Sequence, residues 1–240
     1  MIFALLLLSA PTLVAVDGWV IATHAGASWT APDRQEICAR PKLELFPADD
    51  PKAAPRAVRC EADEEGALTL SPAPKSGSGT LELSAPLPAR PREIKAQPLD
   101  SKIYRAVLKD HLGPKMPPPI LQDLRRVDLD GDGSEEVLIL GASRKPEDNS
   151  PKRPNDWAVA VVRFVDAASK QPRLLELIRH DHTGEQLGPA TLRVIALADL
   201  DGDGHLEIIL EDRDPWGVAM TTWRFDRGKL TKLSEVGVGE

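Results

Sequence analysis

Residues 126–140 read RVDLDGDGSEEVLIL, and residues 198–210 read ADLDGDGHLEIIL. Each stretch sets three aspartates on alternate positions of a glycine-rich turn: Asp128, Asp130 and Asp132 in the first, Asp199, Asp201 and Asp203 in the second. An acid follows at the ninth place of each, Glu136 and Glu207, and a β-branched, apolar run follows that. Carboxylates held this close repel one another, so the pattern makes sense around a cation. Gly131 and Gly202 let the chain curve, and Gly133 and Gly204 permit backbone angles that a side chain would forbid. At the seventh place, Ser134 and His205 offer a backbone carbonyl. The result is a cage of hard oxygens, which suits calcium better than softer metals. The expected ligands of two calcium ions are therefore Asp128, Asp130, Asp132, Ser134 and Glu136, and Asp199, Asp201, Asp203, His205 and Glu207.

An EF-hand also begins with this aspartate alternation, but it needs a bidentate Glu at the twelfth place and helices on both sides. Ile139 and Leu210 stand at the twelfth place here, inside strand-like runs. The loops are expected within β-hairpins. Working outward, LQDLRRV precedes the first loop and EVLIL, WAVAVVRFV and RLLELIRH follow it; TLRVIALA, EIIL, GVAMTTWRF and LTKLSEV surround the second in the same order. Self-similarity with four strands per unit is the mark of stacked β blades. In WAVAVVRF both alternating faces are largely apolar, as in a strand covered on both sides.

The repeated DLDGDGxxE followed by EVLIL or EIIL resembles the FG-GAP/VCBS repeats, the calcium-loop blades of integrin α-type β-propellers and of many exported bacterial proteins. Leu140-Gly141-Ala142-Ser143 stands where that family often carries its GAP letters. The resemblance covers about residues 120–238 and implies calcium at the ten positions named. With two repeats, it implies two four-stranded propeller-like blades over 120–240, as an incomplete propeller or as stacked sheets.

The half before the repeats is different. Most of the 22 prolines lie between residues 31 and 120. LELF (43–46), AVRCE (57–61), ALTLS (67–71) and TLELS (80–84) alternate in period two between turn-rich clusters, which predicts a small antiparallel β domain over 17–100. SKIYRAVLKDHLG (101–113) has helical spacing, with Ser101 at its start and Gly113-Pro114 as its stop. MPPP (116–119) reads as a stiff linker. The expected fold is mostly β: this β domain, one short helix, then the two repeats.

The N-terminal MIFALLLLSAPTLVAVDG carries no charge until Asp17. It is short for a membrane span, which needs about 20 residues, and residues 1–16 fit a secretory leader. An uncleaved anchor or a buried first strand remain as alternatives. For an exported chain, Cys38 and Cys60 are expected as a disulfide, with two buried thiols as the alternative. A net charge of −7 argues against a nucleic-acid surface, which would be basic.

No nucleophile elbow, HExxH, phosphate-binding glycine loop or acid pair outside the turns is present, and no catalytic residue is nominated. His180 and His182 are a candidate zinc pair without a third ligand. Trp157, Trp216 and Trp223 are core or turn residues first and a sugar-stacking surface second. Arg90, Arg92, Arg125 and Arg126 read as solvated basics. The expectation is an exported calcium-binding β-repeat protein, periplasmic, cell-surface or extracellular, with a structural role or a protein or glycan ligand. The alternative is a calcium-stabilised hydrolase or glycan-binding protein of the cell envelope.

Overall fold

The computed structural model describes residues 11–25, 28–40, 42–48, 54–62, 68–74, 79–85, 92–145, 155–181, 191–214 and 217–239. Among them are sixteen strands and two helices, so the chain is mostly β. It divides into two compact units: residues 1–88 with Asp201–Asp203, and residues 89–200 with 204–240. The described residues 92–100 thus belong to the second unit. Among the described residues, no helix is long and apolar enough to cross a membrane.

In the first unit, β1 (Thr12–Val16) and β2 (Trp19–Ala25) form a hairpin, and β3 (Ser28–Thr30) adds to β2. Helix α1 (Arg34–Cys38) follows, then β4 (Leu43–Pro47), β5 (Arg56–Ala62), β6 (Leu68–Ser71) and β7 (Leu81–Leu83). Hydrogen bonding runs β1-β7-β4-β5-β6-β2 and closes from β2 back to β1. The result is a closed six-stranded antiparallel barrel. Closure removes the free edges that such short strands would otherwise expose. Leu13, Ala15, Val20, Leu45 and Leu70 fill the interior. Cys38 and Cys60 are disulfide-bonded, tying the end of α1 to β5.

The leader expectation meets this barrel directly. Leu13, Val14, Ala15 and Val16 are fully buried, and they pair with β2 on one side and β7 on the other. Cleavage at residue 16 would remove a barrel strand. Residues 12–16 form a strand of this barrel; residues 1–10 lie outside the described residues.

In the second unit, β8 (Lys95–Ala96) pairs with β9 (Ile120–Val127), and β10 (Glu136–Ala142), β11 (Trp157–Val165) and β12 (Pro172–Asp181) complete a five-stranded sheet. β13 (Thr191–Ala198), β14 (Glu207–Asp214), β15 (Gly217–Asp226) and β16 (Lys229–Gly239) form a four-stranded sheet. All neighbours are antiparallel. The two sheets share one core, in which Leu138, Leu140, Ala160 and Val162 meet Val194, Ile208, Leu210 and Phe225.

The outer face of the first sheet is covered by α2 (Lys102–Leu112), whose Leu108 and Leu112 pack on Val137, Ile139, Trp157, Val159 and Val161. That double cover is why β10 is buried at every position and why WAVAVV (157–162) is buried on both faces. The second cover is a helix, not another blade. Gly141 admits the helix: a Cβ there would stand 2.6 Å from the Leu108 side chain. Ser101 takes the N-cap position of α2 without a side-chain capping bond, and Gly113 ends the helix at φ 91°.

Candidate metal centre

Both DLDGDG turns connect adjacent antiparallel strands, β9 to β10 and β13 to β14. The hairpin expectation holds, and no helix flanks either loop. The paired glycines take nearly identical angles: φ is 77° at Gly131 and 78° at Gly202, then 89° at Gly133 and 90° at Gly204. All four lie in the left-handed region that side chains avoid. The same sequence has therefore folded the same way twice.

The aspartates shape the turns by accepting backbone hydrogen bonds. Asp128 accepts from the Gly131 and Gly133 amides at 2.7 and 3.1 Å. The Asp132 amide donates to Asp130 at 3.3 Å, and the Ser134 amide to Asp132 at 2.7 Å. In the second loop, Asp199 accepts from Gly204 at 3.1 Å, and Asp201 from Asp203 at 3.3 Å. The ninth-place acids do matching work: the Leu129 amide donates to Glu136 Oε2, and the Leu200 amide to Glu207 Oε2, each at 2.8 Å. Leu129 and Leu200 are themselves buried, which anchors the second residue of each loop in the core.

The carboxylates converge. Single oxygens of Asp128, Asp130 and Glu136 lie within 4.8 Å of one another, as do those of Asp199, Asp201 and Asp203. Each set can hold a metal ion. Asp132 and Glu207 stand outside these tight sets.

The two ninth-place acids differ in their electrostatics. Glu207 is fully buried, and Arg224 neutralises it through two hydrogen bonds of 2.9 and 2.7 Å to Oε1. Glu136 is 4% exposed and, among the described residues, has no lysine or arginine within ion-pair distance. Its pKa is pushed up to about 7, chiefly by burial. The Leu129 amide opposes that shift, and the charges of Asp130, Asp132 and Asp128 add to it. A buried carboxylate facing two others without a counter-cation is a strong acceptor for one.

Three arginines frame the loops, and one of them, Arg92, is not the solvated basic expected of it. Arg92 donates to the Asp128 carbonyl at 2.7 Å and also to the Gly204 carbonyl, so one guanidinium spans both loops. The Arg227 amide donates to Asp130 Oδ2 at 2.9 Å, and Arg224 holds Glu207. Arg92 lies outside any repeat and outside any strand, so periodicity cannot reveal it. Arg125 and Arg126 have local partners instead, Asp123 at 2.7 Å and Glu135 at 3.3 Å.

The remaining candidates go elsewhere. His205 Nε2 lies 3.6 Å from Asp226. His180 bonds Asp212 at 2.7 Å, while His182 lies outside the described residues. Trp157 is buried, with its indole N–H donating to the Pro117 carbonyl at 3.3 Å. Trp223 packs against the shared core, and Trp216 lies outside the described residues. No sugar-stacking surface is formed by Trp157 and Trp223. No family model, curated protein or solved structure matches this chain.

Proposed function

We infer that the chain is a calcium-binding β-repeat protein in which two metal ions lock the two hairpin loops, and that its role is structural or ligand-binding rather than catalytic. The observation that carries this reading is Glu136: a buried carboxylate clustered with Asp128 and Asp130, with no lysine or arginine in ion-pair distance among the described residues. Oxygen-only donors in a flexible glycine loop favour calcium over zinc or copper. The seventh-place carbonyls of Ser134 and His205 would complete the coordination. Calcium supplies the counter-charge that the cluster lacks, and it stabilises the folded chain by mass action because the unfolded chain has no such site.

The resemblance to FG-GAP/VCBS repeats belongs to this reading. It is supported by two four-strand meanders, each with its loop between the first and second strands. The propeller-like description is supported by the same two meanders. Export to a periplasmic, cell-surface or extracellular location is supported by the Cys38–Cys60 disulfide, since such bonds persist in oxidising compartments. Extracellular calcium modules bind at about 10⁻⁴–10⁻³ M, which fits a metal that is always present outside the cell. The test is a calcium titration of EDTA-stripped protein followed by calorimetry. Two bound ions per chain support the reading; no bound ion removes it.

A further inference from the structure

Helix α2 covers the outer face of the first sheet only as far as Val161. Beyond its edge lies a groove of about 460 Å³, lined by Val107, Asp110, His111, Arg163, Pro172, Arg173 and Leu174. Its volume falls in the range of small-molecule sites, about 300–1,000 Å³. All its lining residues belong to the second unit, and none is near the aspartate loops in sequence.

Each residue's place follows from the fold. Val107, Asp110 and His111 are spaced to share one face of α2. Arg163 continues the row Trp157, Val159, Val161 on β11, and it sits opposite Leu174 on β12. That row is apolar until Arg163. Val107 and Leu174 pack against the core cluster beneath α2 and, with Pro172, give the groove an apolar floor.

The charges around that floor are unevenly matched. His111 Nε2 lies 2.5 Å from Glu176, and Arg173 is 3.4 Å from Asp166. Arg163 and Asp110 have no such partner: among the described residues, neither side chain makes a hydrogen bond or ion pair, including with the other. Arg163 is nevertheless half-buried on a sheet face. A guanidinium is a planar fork suited to a carboxylate, and an aspartate accepts an ammonium. Two unmatched charges of opposite sign over an apolar floor are complementary to a molecule that carries both charges and an apolar body.

We propose that this groove binds a small apolar zwitterion of the α-amino-acid type, its carboxylate on Arg163, its ammonium on Asp110 and its side chain against Val107, Pro172 and Leu174. This proposal is independent of the calcium reading.

The experiment uses the full chain and three isosteric probes in calorimetric and NMR titrations: leucine, 4-methylpentanoate, which lacks the amine, and 3-methylbutylamine, which lacks the carboxylate. Leucine is expected to bind, and each truncated probe to bind about tenfold or more weakly, as loss of one charged hydrogen-bonded contact implies. Arg163→Gln should weaken leucine and leave 3-methylbutylamine unchanged. Asp110→Asn should weaken leucine and leave 4-methylpentanoate unchanged. Thermal melts of both variants control for folding, and because the two substitutions lie on different elements either one alone decides the matter. No leucine binding overturns the proposal. So does binding of 4-methylpentanoate or 3-methylbutylamine as tight as that of leucine, or leucine binding indifferent to either substitution.

Discussion

The Leu206 amide donates to the Leu129 carbonyl at 2.7 Å, so the end of the second loop is hydrogen-bonded to the second residue of the first. The two DLDGDG turns are therefore neighbours as well as repeats. Arg92 holds one carbonyl from each, and the Arg227 amide reaches the Asp130 carboxylate from the β15–β16 turn. Gly131 marks how close the approach is: a Cβ there would stand 3.2 Å from the Gly204 carbonyl and 2.5 Å from the Arg92 guanidinium.

Arg92→Ala should leave two carbonyls without their charged donor and destabilise the chain by about 2 kcal/mol, the scale of hydrogen bonds to charged groups. Gly131→Ala should do comparable damage through φ 77° and the crowding just described. Denaturant melts of both variants give the numbers. Wild-type midpoints in both would show that the clamp contributes nothing.

The raised pKa of Glu136 makes a signed prediction for metal-free protein. A carboxyl near 7 when folded and near 4.5 when unfolded favours folding fully below pH 4.5, and that contribution is lost as pH rises through 7. Stability in EDTA should therefore decline between about pH 4.5 and 7, by at most about 1.4 kcal/mol per pH unit from this group. Glu136→Gln should flatten the profile over that window. A variant profile parallel to wild type would place the pH dependence elsewhere.

Asp130→Ala removes a ligand of the first cluster and the acceptor of the Arg227 amide. Asp201→Ala removes a ligand of the second cluster. Each should lose one calcium-binding event in a titration, with Asp130→Ala also lowering metal-free stability. Asp→Asn at either place keeps an oxygen and should weaken calcium less than Ala does. Retention of two full binding events in both Ala variants would contradict the assignment of the ligands.

The disulfide closes a 22-residue separation, worth about 3 kcal/mol in the chain-entropy picture. Replacing Cys38 and Cys60 together by Ser should lower barrel stability by that order, read as a shift in urea midpoint against the oxidised wild type. A chain beginning at Asp17 should fare worse, because it lacks β1 and leaves β2 and β7 with free edges. Native-like circular dichroism and melting from that truncation would mean that the barrel does not need its first strand.

Much of this was readable from the residues. LELF, AVRCE, ALTLS and TLELS are strands because their alternation matches a half-buried surface, and the two loops are legible because their glycines and aspartates leave the backbone little choice. Leu13–Val16 was ambiguous for a physical reason: a short, uncharged apolar run is what a leader and a barrel-core strand both require. Helix α1 has only five residues, too few for a period. Arg92 works from an irregular segment, and Arg224 from an ordinary strand position, so only tertiary structure shows what they hold. The cover on β11 was legible as cover; that it is a helix on one side was not.

The central claim is that the two loops are metal sites that stabilise the fold. The most direct measurement is thermal unfolding of EDTA-stripped protein near pH 7, repeated across calcium concentrations up to several millimolar, with bound ions counted by titration. The account predicts two ions per chain and a melting temperature that rises with calcium, with a gain in stability of roughly 1.4 kcal/mol per site at tenfold excess over the dissociation constant. An unchanged melting temperature with no bound ion would contradict it.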